Sequence, residues 1–235
     1  MLSAMPSAPR TALSTTIMAR LDEIYPAATD PLRAAGARAY MRDQFPFLGI
    51  TNPRLTELNR EVLAGLDGPS EADLIAVTLT CWAKPEREYQ YFACNYLRRN
   101  VRVGSPALLS TVQELITTKS WWDTVDTLAA HTVGPLVAAY PVLVDTMDAW
   151  VTNDNMWLVR TAILHQLRYK ERTDAERLFR YCTVQASHRD FFVRKAIGWA
   201  LRDYARTDPE AVRRYVEEHR SILAPLSVRE ASKHL

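Results

Sequence analysis

Arg160-Thr161-Ala162-Ile163, followed by Leu167-Arg168, returns 34 residues later as Arg194-Lys195-Ala196-Ile197 followed by Leu201-Arg202. Leu97-Arg98 stands 70 residues before Leu167-Arg168, twice 35. A unit recurring at this interval cannot bury its apolar face alone and must stack on its neighbours. Outward from this stretch, apolar residues keep helical spacing: Ile17, Leu21 and Ile24; Leu74, Val77 and Cys81; Leu178, Tyr181 and Cys182. Start signals are also legible, and those near 70, 105, 138, 173 and 207 keep the same interval. Ser70-Glu71-Ala72-Asp73 resembles a capping box, and Thr29-Asp30-Pro31 is a cap followed by proline at the first helical position. Ser105-Pro106, Thr173-Asp174 and Thr207-Asp208-Pro209 are further starts, with a weaker one near residue 138. No sustained two-residue alternation with a Gly/Asn turn appears. The sequence therefore reads as all-α, an α-solenoid of HEAT-like helical repeats forming a concave groove. The W-x2-L-G-x2-Y pattern of tetratricopeptide repeats is absent. Residues 14–235 read as a single repeat domain, and residues 1–13 as a disordered tail.

Composition excludes several function classes. Hydrophobic residues make up 48% and charged residues 24% of the 235, ordinary for a globular protein. No apolar run reaches the roughly 18–20 residues of a membrane helix, so no membrane partner is expected. Only 7 glycines are present, with no G-x-G-x-x-G and no G-x-x-x-x-G-K-[ST], which argues against nucleotide cofactors held in those ways. There is no G-x-S-x-G elbow. Cys81, Cys94 and Cys182 form no C-x-x-C, and the five histidines show no ligand spacing, so neither metal nor cofactor is expected. Three buried thiols fit a reducing cytosol. The Ser/Ala/Pro-rich N-terminus lacks the apolar core of a signal peptide.

The net charge is only +2, but it is unevenly distributed. Residues 1–150 carry 13 Lys/Arg and 16 Asp/Glu, whereas residues 151–235 carry 16 and 11. Lys84–Val103 adds five cations against two acids. Cations gathered on one face bind a polyanion even when the total is near neutral. The most unusual segment is Ser120-Trp121-Trp122-Asp123-Thr124-Val125-Asp126, where Trp122 and Asp126 share a helix face. An unpaired carboxylate is costly to bury beside an indole. If that face lines a groove, the indole offers a π surface for cations or bases and the carboxylate a fixed negative charge. The alternative is a core tryptophan, with Asp126 paired to an arginine of the next repeat. Arg160 lies 34 residues after Asp126. It could anchor a phosphate and keep Asp126 ionised, or form an inter-repeat salt bridge. Lys195 and Trp199 are four apart, and Arg202 follows within a turn. Gly198 between them costs a helix roughly 1 kcal/mol, which points to close approach of a backbone or ligand. Two indoles, one carboxylate and several cations suit a cationic group carried on a polyanion.

These residues resemble the bacterial DNA alkylation repair glycosylases of the AlkD family, which are HEAT-like solenoids. The resemblance rests on Tyr40-Met41, Phe45-Pro46-Phe47-Leu48-Gly49-Ile50, Ser120–Asp126, Trp157–Lys170, Lys195–Tyr204 and Leu223-Ala224-Pro225-Leu226-Ser227, and runs from about Leu13 to the end. It implies excision of cationic N3- and N7-alkylated purines, such as 3-methyladenine and 7-methylguanine, from duplex DNA without metal or cofactor. It assigns Asp126, Trp122 and Trp199 to catalysis, Arg160 to the lesion strand's backbone, and Tyr40 to the neighbourhood of the lesion. The loop Gly49-Ile50-Thr51-Asn52-Pro53 falls near the opposite strand, with Asn52 where the family pattern leads one to expect Thr. Lys195, Arg202, Arg168 and Lys170 complete the expected DNA contacts. The resemblance also implies a base left largely stacked, against the general expectation of base flipping. The protein is expected to be a monomer of the bacterial cytosol or nucleoid. The alternative function is a non-catalytic HEAT-like protein that binds distorted DNA. A protein-binding HEAT scaffold would instead show an apolar groove.

Overall fold

The computed structural model describes residues 10–234, which contain no β-strand. In chain order the helices are α1 (Ala12–Ala27), α2 (Pro31–Tyr40), α3 (Asn52–Leu63), α4 (Glu71–Ala83), α5 (Arg87–Asn100), α6 (Leu108–Thr117), α7 (Trp122–Leu128), α8 (Gly134–Ala139), α9 (Val144–Trp150), α10 (Met156–Leu164), α11 (Ala175–Val184), α12 (Phe191–Tyr204), α13 (Pro209–Glu218) and α14 (Pro225–Ala231). The starts of α5, α7, α10, α12 and α14 fall 34 or 35 residues apart, the interval legible in the sequence. Two compact units divide within α6, one ending at Thr111 and the other beginning at Val112.

Local chemistry sets most of the boundaries. Ser70 and Asp73 form a reciprocal capping box at α4. Asp30 caps α2 ahead of Pro31, and Asp174 and Asp208 cap α11 and α13. The N-terminal boundary differs from the one expected at residue 14. Thr11 Oγ1 accepts from the Ser14 backbone and Ser14 Oγ from the Thr11 backbone, so the helix opens at Ala12. Residues 1–9 of the expected tail lie outside the described residues. The start expected near 138 is also displaced, because residue 138 lies inside α8. Pro135 carries no N–H and would crowd the carbonyl four residues back. The chain widens there into a π-helical turn, Ala129–Val133, and restarts only at the 3-10 turn Pro141–Leu143 ahead of α9.

In the first unit, Ile17, Leu21 and Tyr25 of α1 are fully buried, with Leu55, Leu58 and Val62 of α3 and Leu74, Val77 and Cys81 of α4. Polar groups tie these helices together. The Tyr25 hydroxyl donates to Asn59 Oδ1 at 2.6 Å, and Arg20 donates to the carbonyls of Val62 and Ala64 at the end of α3.

The second unit is organised around α10, buried from Trp157 to Leu164 and packed against α7, α9, α11 and α12. Trp121, Trp157 and Phe192 form one aromatic cluster, with ring centroids 5.1–6.0 Å apart. Among the described residues α12 pairs closely with α14, and Gly198 makes that approach possible. A Cβ at Gly198 would stand 2.4 Å from Glu230 Cβ and 2.8 Å from the Ser227 carbonyl oxygen. The close approach anticipated at Gly198 is therefore that of a neighbouring helix. Gly198→Ala is expected to destabilise the protein by about 1–3 kcal/mol through overpacking, read as a lower urea midpoint at unchanged m value.

Candidate active site and nucleic-acid interface

Asp126 lies one turn into α7 and Arg160 one turn into α10, 34 residues apart. Arg160 Nε and Nη2 donate to Asp126 Oδ1 and Oδ2 at 2.6 and 2.8 Å, a bidentate pair. The remaining terminal nitrogen, Nη1, donates to the Phe192 carbonyl in the first turn of α12. The arginine thus bridges three successive repeat helices. Its side chain is only 3% exposed and that of Asp126 14%, so the carboxylate, not the guanidinium, reaches solvent. Of the two roles left open for Arg160, the structure shows the inter-repeat salt bridge, with the guanidinium buried behind Asp126 and bonded to it. Burial pushes the Asp126 carboxyl above the usual carboxylate range. Hydrogen bonds and charge from Arg160 pull against that rise, and nearby Asp123 adds to it.

The two tryptophans singled out are both half-buried, Trp122 at the start of α7 and Trp199 on α12. Trp199 has no ring contact or hydrogen bond among the described residues, so its indole is not spent on the core aromatic cluster. That role belongs to Trp121, the neighbour of Trp122.

Lys195 and Arg202 do come together, around a residue the sequence did not reveal. Lys195 Nζ, Arg202 Nη1 and Lys233 Nζ each approach the Glu230 carboxylate at 2.8 Å. The carboxylate is 4% exposed and the cations 21–45%, so the acid is roofed by cations that still face water. Hydrogen bonds from Lys195 and Lys233 hold Glu230 down to about 2, and the cluster keeps a net charge of +2. Arg168 and Lys170 are exposed, on a turn where both have left-handed backbone, φ 76° and 54°. Asp203 fixes that turn by accepting from the Arg168 backbone N–H at 3.0 Å.

Tyr40, Thr51 and Asn52 belong to the first unit, where they line one pocket with Arg33, Phe47 and Tyr91. All three are exposed. The loop before Thr51 is held by Glu88, 1% exposed, whose carboxylate accepts the backbone N–H groups of Leu48, Gly49 and Ile50 at 2.8–3.3 Å. Glu88 went unread in the sequence. The one available signal was its register, 34 residues before Trp122. For Glu230 the signals were as faint: Lys195 lies one repeat interval, 35 residues, before it and Lys233 three residues after it.

A family model described as DNA alkylation repair enzyme matches residues 23–235. The chain belongs to that family. A solved structure described as a predicted DNA alkylation repair enzyme from Enterococcus faecalis is 33% identical, with a TM-score of 0.81 over 88% of this chain and 96% of that one. The fold is shared more distantly with AlkD2 from Streptococcus mutans, at 14% identity and a TM-score of 0.53 over 95% of this chain and 99% of that one. No curated protein matches the chain.

The Glu230 cluster carries a pH signature. Its folded value, about 2, lies below the ordinary 4.5. Its stabilisation is therefore complete above about pH 4.5 and is lost as the pH falls from there through 2. Glu230→Gln should flatten that limb of a stability-against-pH curve measured by urea unfolding.

Proposed function

We propose that this DNA alkylation repair enzyme is a monofunctional glycosylase hydrolysing the N-glycosidic bond of cationic N3- and N7-alkylated purines in duplex DNA. The observation that carries the reading is the Asp126 carboxylate, aligned by a buried bidentate arginine and open on its other side. An alkylated purine cation is already a good leaving group, so no acid is required to protonate it. The barrier lies in the deoxyribose, which becomes oxocarbenium-like as the bond breaks. A carboxylate about 4 Å from that charge, at an effective dielectric near 20, contributes roughly 4 kcal/mol. A guanidinium roughly 8 Å away opposes it by about 2 kcal/mol. The difference, about 2 kcal/mol realised in the transition state, corresponds to about 30-fold in rate. Asp126 also positions the attacking water, and Trp122 and Trp199 pack their π faces on the sugar.

Lys195, Arg202, Arg168 and Lys170 hold backbone phosphates, while Tyr40, Thr51 and Asn52 meet the duplex from the first unit. Specificity follows from the lesion's charge, with the base left largely stacked. The protein acts as a monomer in the bacterial cytosol, as one repeat domain.

The decisive measurement is release of 7-methylguanine from methylated duplex DNA over the spontaneous rate. Asp126→Asn is expected to lower it at least tenfold, with DNA affinity kept. Uracil or hypoxanthine should be released slowly or not at all, and efficient uracil release would refute selection by charge. Catalysis requires ionised Asp126, whose value is raised. Activity should therefore fall on acidification at a higher pH than for an ordinary aspartate, near 3.9. Arg160→Gln should move that acid limb further up and, by leaving a buried charge unpaired, cost about 3–5 kcal/mol of stability.

A further inference from the structure

A second concavity in the first unit lies between α3 and α5 and has a volume of about 140 Å³. The charged groups that line it are all cationic, and its other polar groups are amides and hydroxyls. Arg60 and Arg99 line it from opposite helices, with Asn95 beside them, and none of the three has a hydrogen-bond or ion-pair partner among the described residues. Asn59 also lines it, and its Oδ1 is already occupied by the Tyr25 hydroxyl, which leaves its amide N–H groups. The floor is apolar, from Leu63 and the buried ring of Phe92, and no carboxylate lines the cavity. Two guanidinium groups and two amides with no acid among them call for an oxygen-rich anion.

The position of the cavity on α3 identifies the anion's source. Asn52 opens α3, Thr56 donates to the Asn52 carbonyl at 2.9 Å and lines the cavity, and Arg60 follows one turn later. Eight residues of helix advance about 12 Å, and a DNA strand presents a phosphate every roughly 3.4 Å of rise. A strand meeting Asn52 can therefore run on along α3 to Arg60. Arg98 and Arg102, exposed beside Arg99, add to the positive field.

We propose that this cavity is a backbone-phosphate site, in which Arg60 and Arg99 clamp one phosphodiester of the DNA. The proposal rests on the DNA-binding part of the proposed function and not on its chemistry.

The test compares the salt dependence of duplex binding, by fluorescence anisotropy, for wild type, Arg60→Gln/Arg99→Gln, and a control of equal charge change, Arg98→Gln/Arg102→Gln. One lost phosphate contact should reduce the slope of log K against log salt by about 0.9. That reduction in the cavity variant, with less than half of it in the control, is the expected result. Equal changes in both variants, or none in either, would overturn the site. Inorganic phosphate is titrated in parallel, following thermal stability. Phosphate binding that the cavity variant abolishes, with an unchanged DNA slope, would also overturn the proposal by assigning the cavity to free phosphate. Release of 7-methylguanine is read on the same samples. A wild type that binds DNA with the expected slope difference but releases no base sinks the glycosylase reading and leaves this site standing.

Discussion

The ion pair between Asp126 and Arg160 is the constraint on which the second unit turns. A carboxylate desolvated to this degree needs a partner, and a guanidinium buried at 3% exposure needs acceptors for its donors. Each supplies what the other lacks, and Nη1 of the same arginine extends the link to the Phe192 carbonyl. The pair therefore fixes the mutual placement of α7, α10 and α12. The aromatic cluster of Trp121, Trp157 and Phe192 comes from the same three stretches of chain. With Arg160 buried, the acid is the group presented outward, as the proposed selection of a cationic lesion requires.

The fold was legible in the sequence because its signals are local and repeated. Asp30, Ser70, Asp174 and Asp208 each cap the helix they announce, and the 34-residue recurrence of Arg-x-Ala-Ile marks the helices that stack. The misplaced start near 138 has a physical cause. Pro135 sits inside a continuous helical run, and a π turn absorbs it where the sequence pattern implies a clean break. Of the site, Asp126 and its 34-residue partner could be read from register alone. The direction in which Arg160 faces could not, because it depends on how deeply α10 is buried. Trp121 and Trp122 are adjacent and both half-buried, so nothing local to the sequence tells which of them packs on Trp157 and Phe192, as Trp121 does.

The two acids missed in the sequence, Glu88 and Glu230, share one design. Each is a nearly fully buried carboxylate with partners from distant sequence: three backbone N–H groups for Glu88, and two cations of α12 for Glu230, which Lys233 joins from three residues on. Neither carries a motif, since any acid in a helix looks like a solvated one. Their work is to hold other groups still. Glu88 fixes the loop that delivers Thr51 and Asn52, and Glu230 gathers Lys195 and Arg202 on the helix that carries Trp199. A long cation loses side-chain entropy when a ligand orders it, roughly 2 kcal/mol for a lysine or arginine, and a carboxylate behind it imposes part of that cost during folding.

Close backbone contact serves the same end. Gly134 lies just beyond the π turn that follows the Asp126 helix, and a Cβ there would stand 2.3 Å from the His165 carbonyl oxygen. The Tyr169 hydroxyl donates to the Gly134 carbonyl at 2.6 Å. The helical run that starts at Trp122 is thus fastened at both ends, at Asp126 by Arg160 and at Gly134 by the chain that leaves α10. Gly198 does the same for the helix of Trp199 against α14. In a chain with only 7 glycines, two are placed where the helices carrying the candidate indoles meet a neighbour. Catalysis by a fixed charge gains only what the scaffold prevents from relaxing, and in the proposed reaction these contacts would hold the carboxylate and the indoles in place.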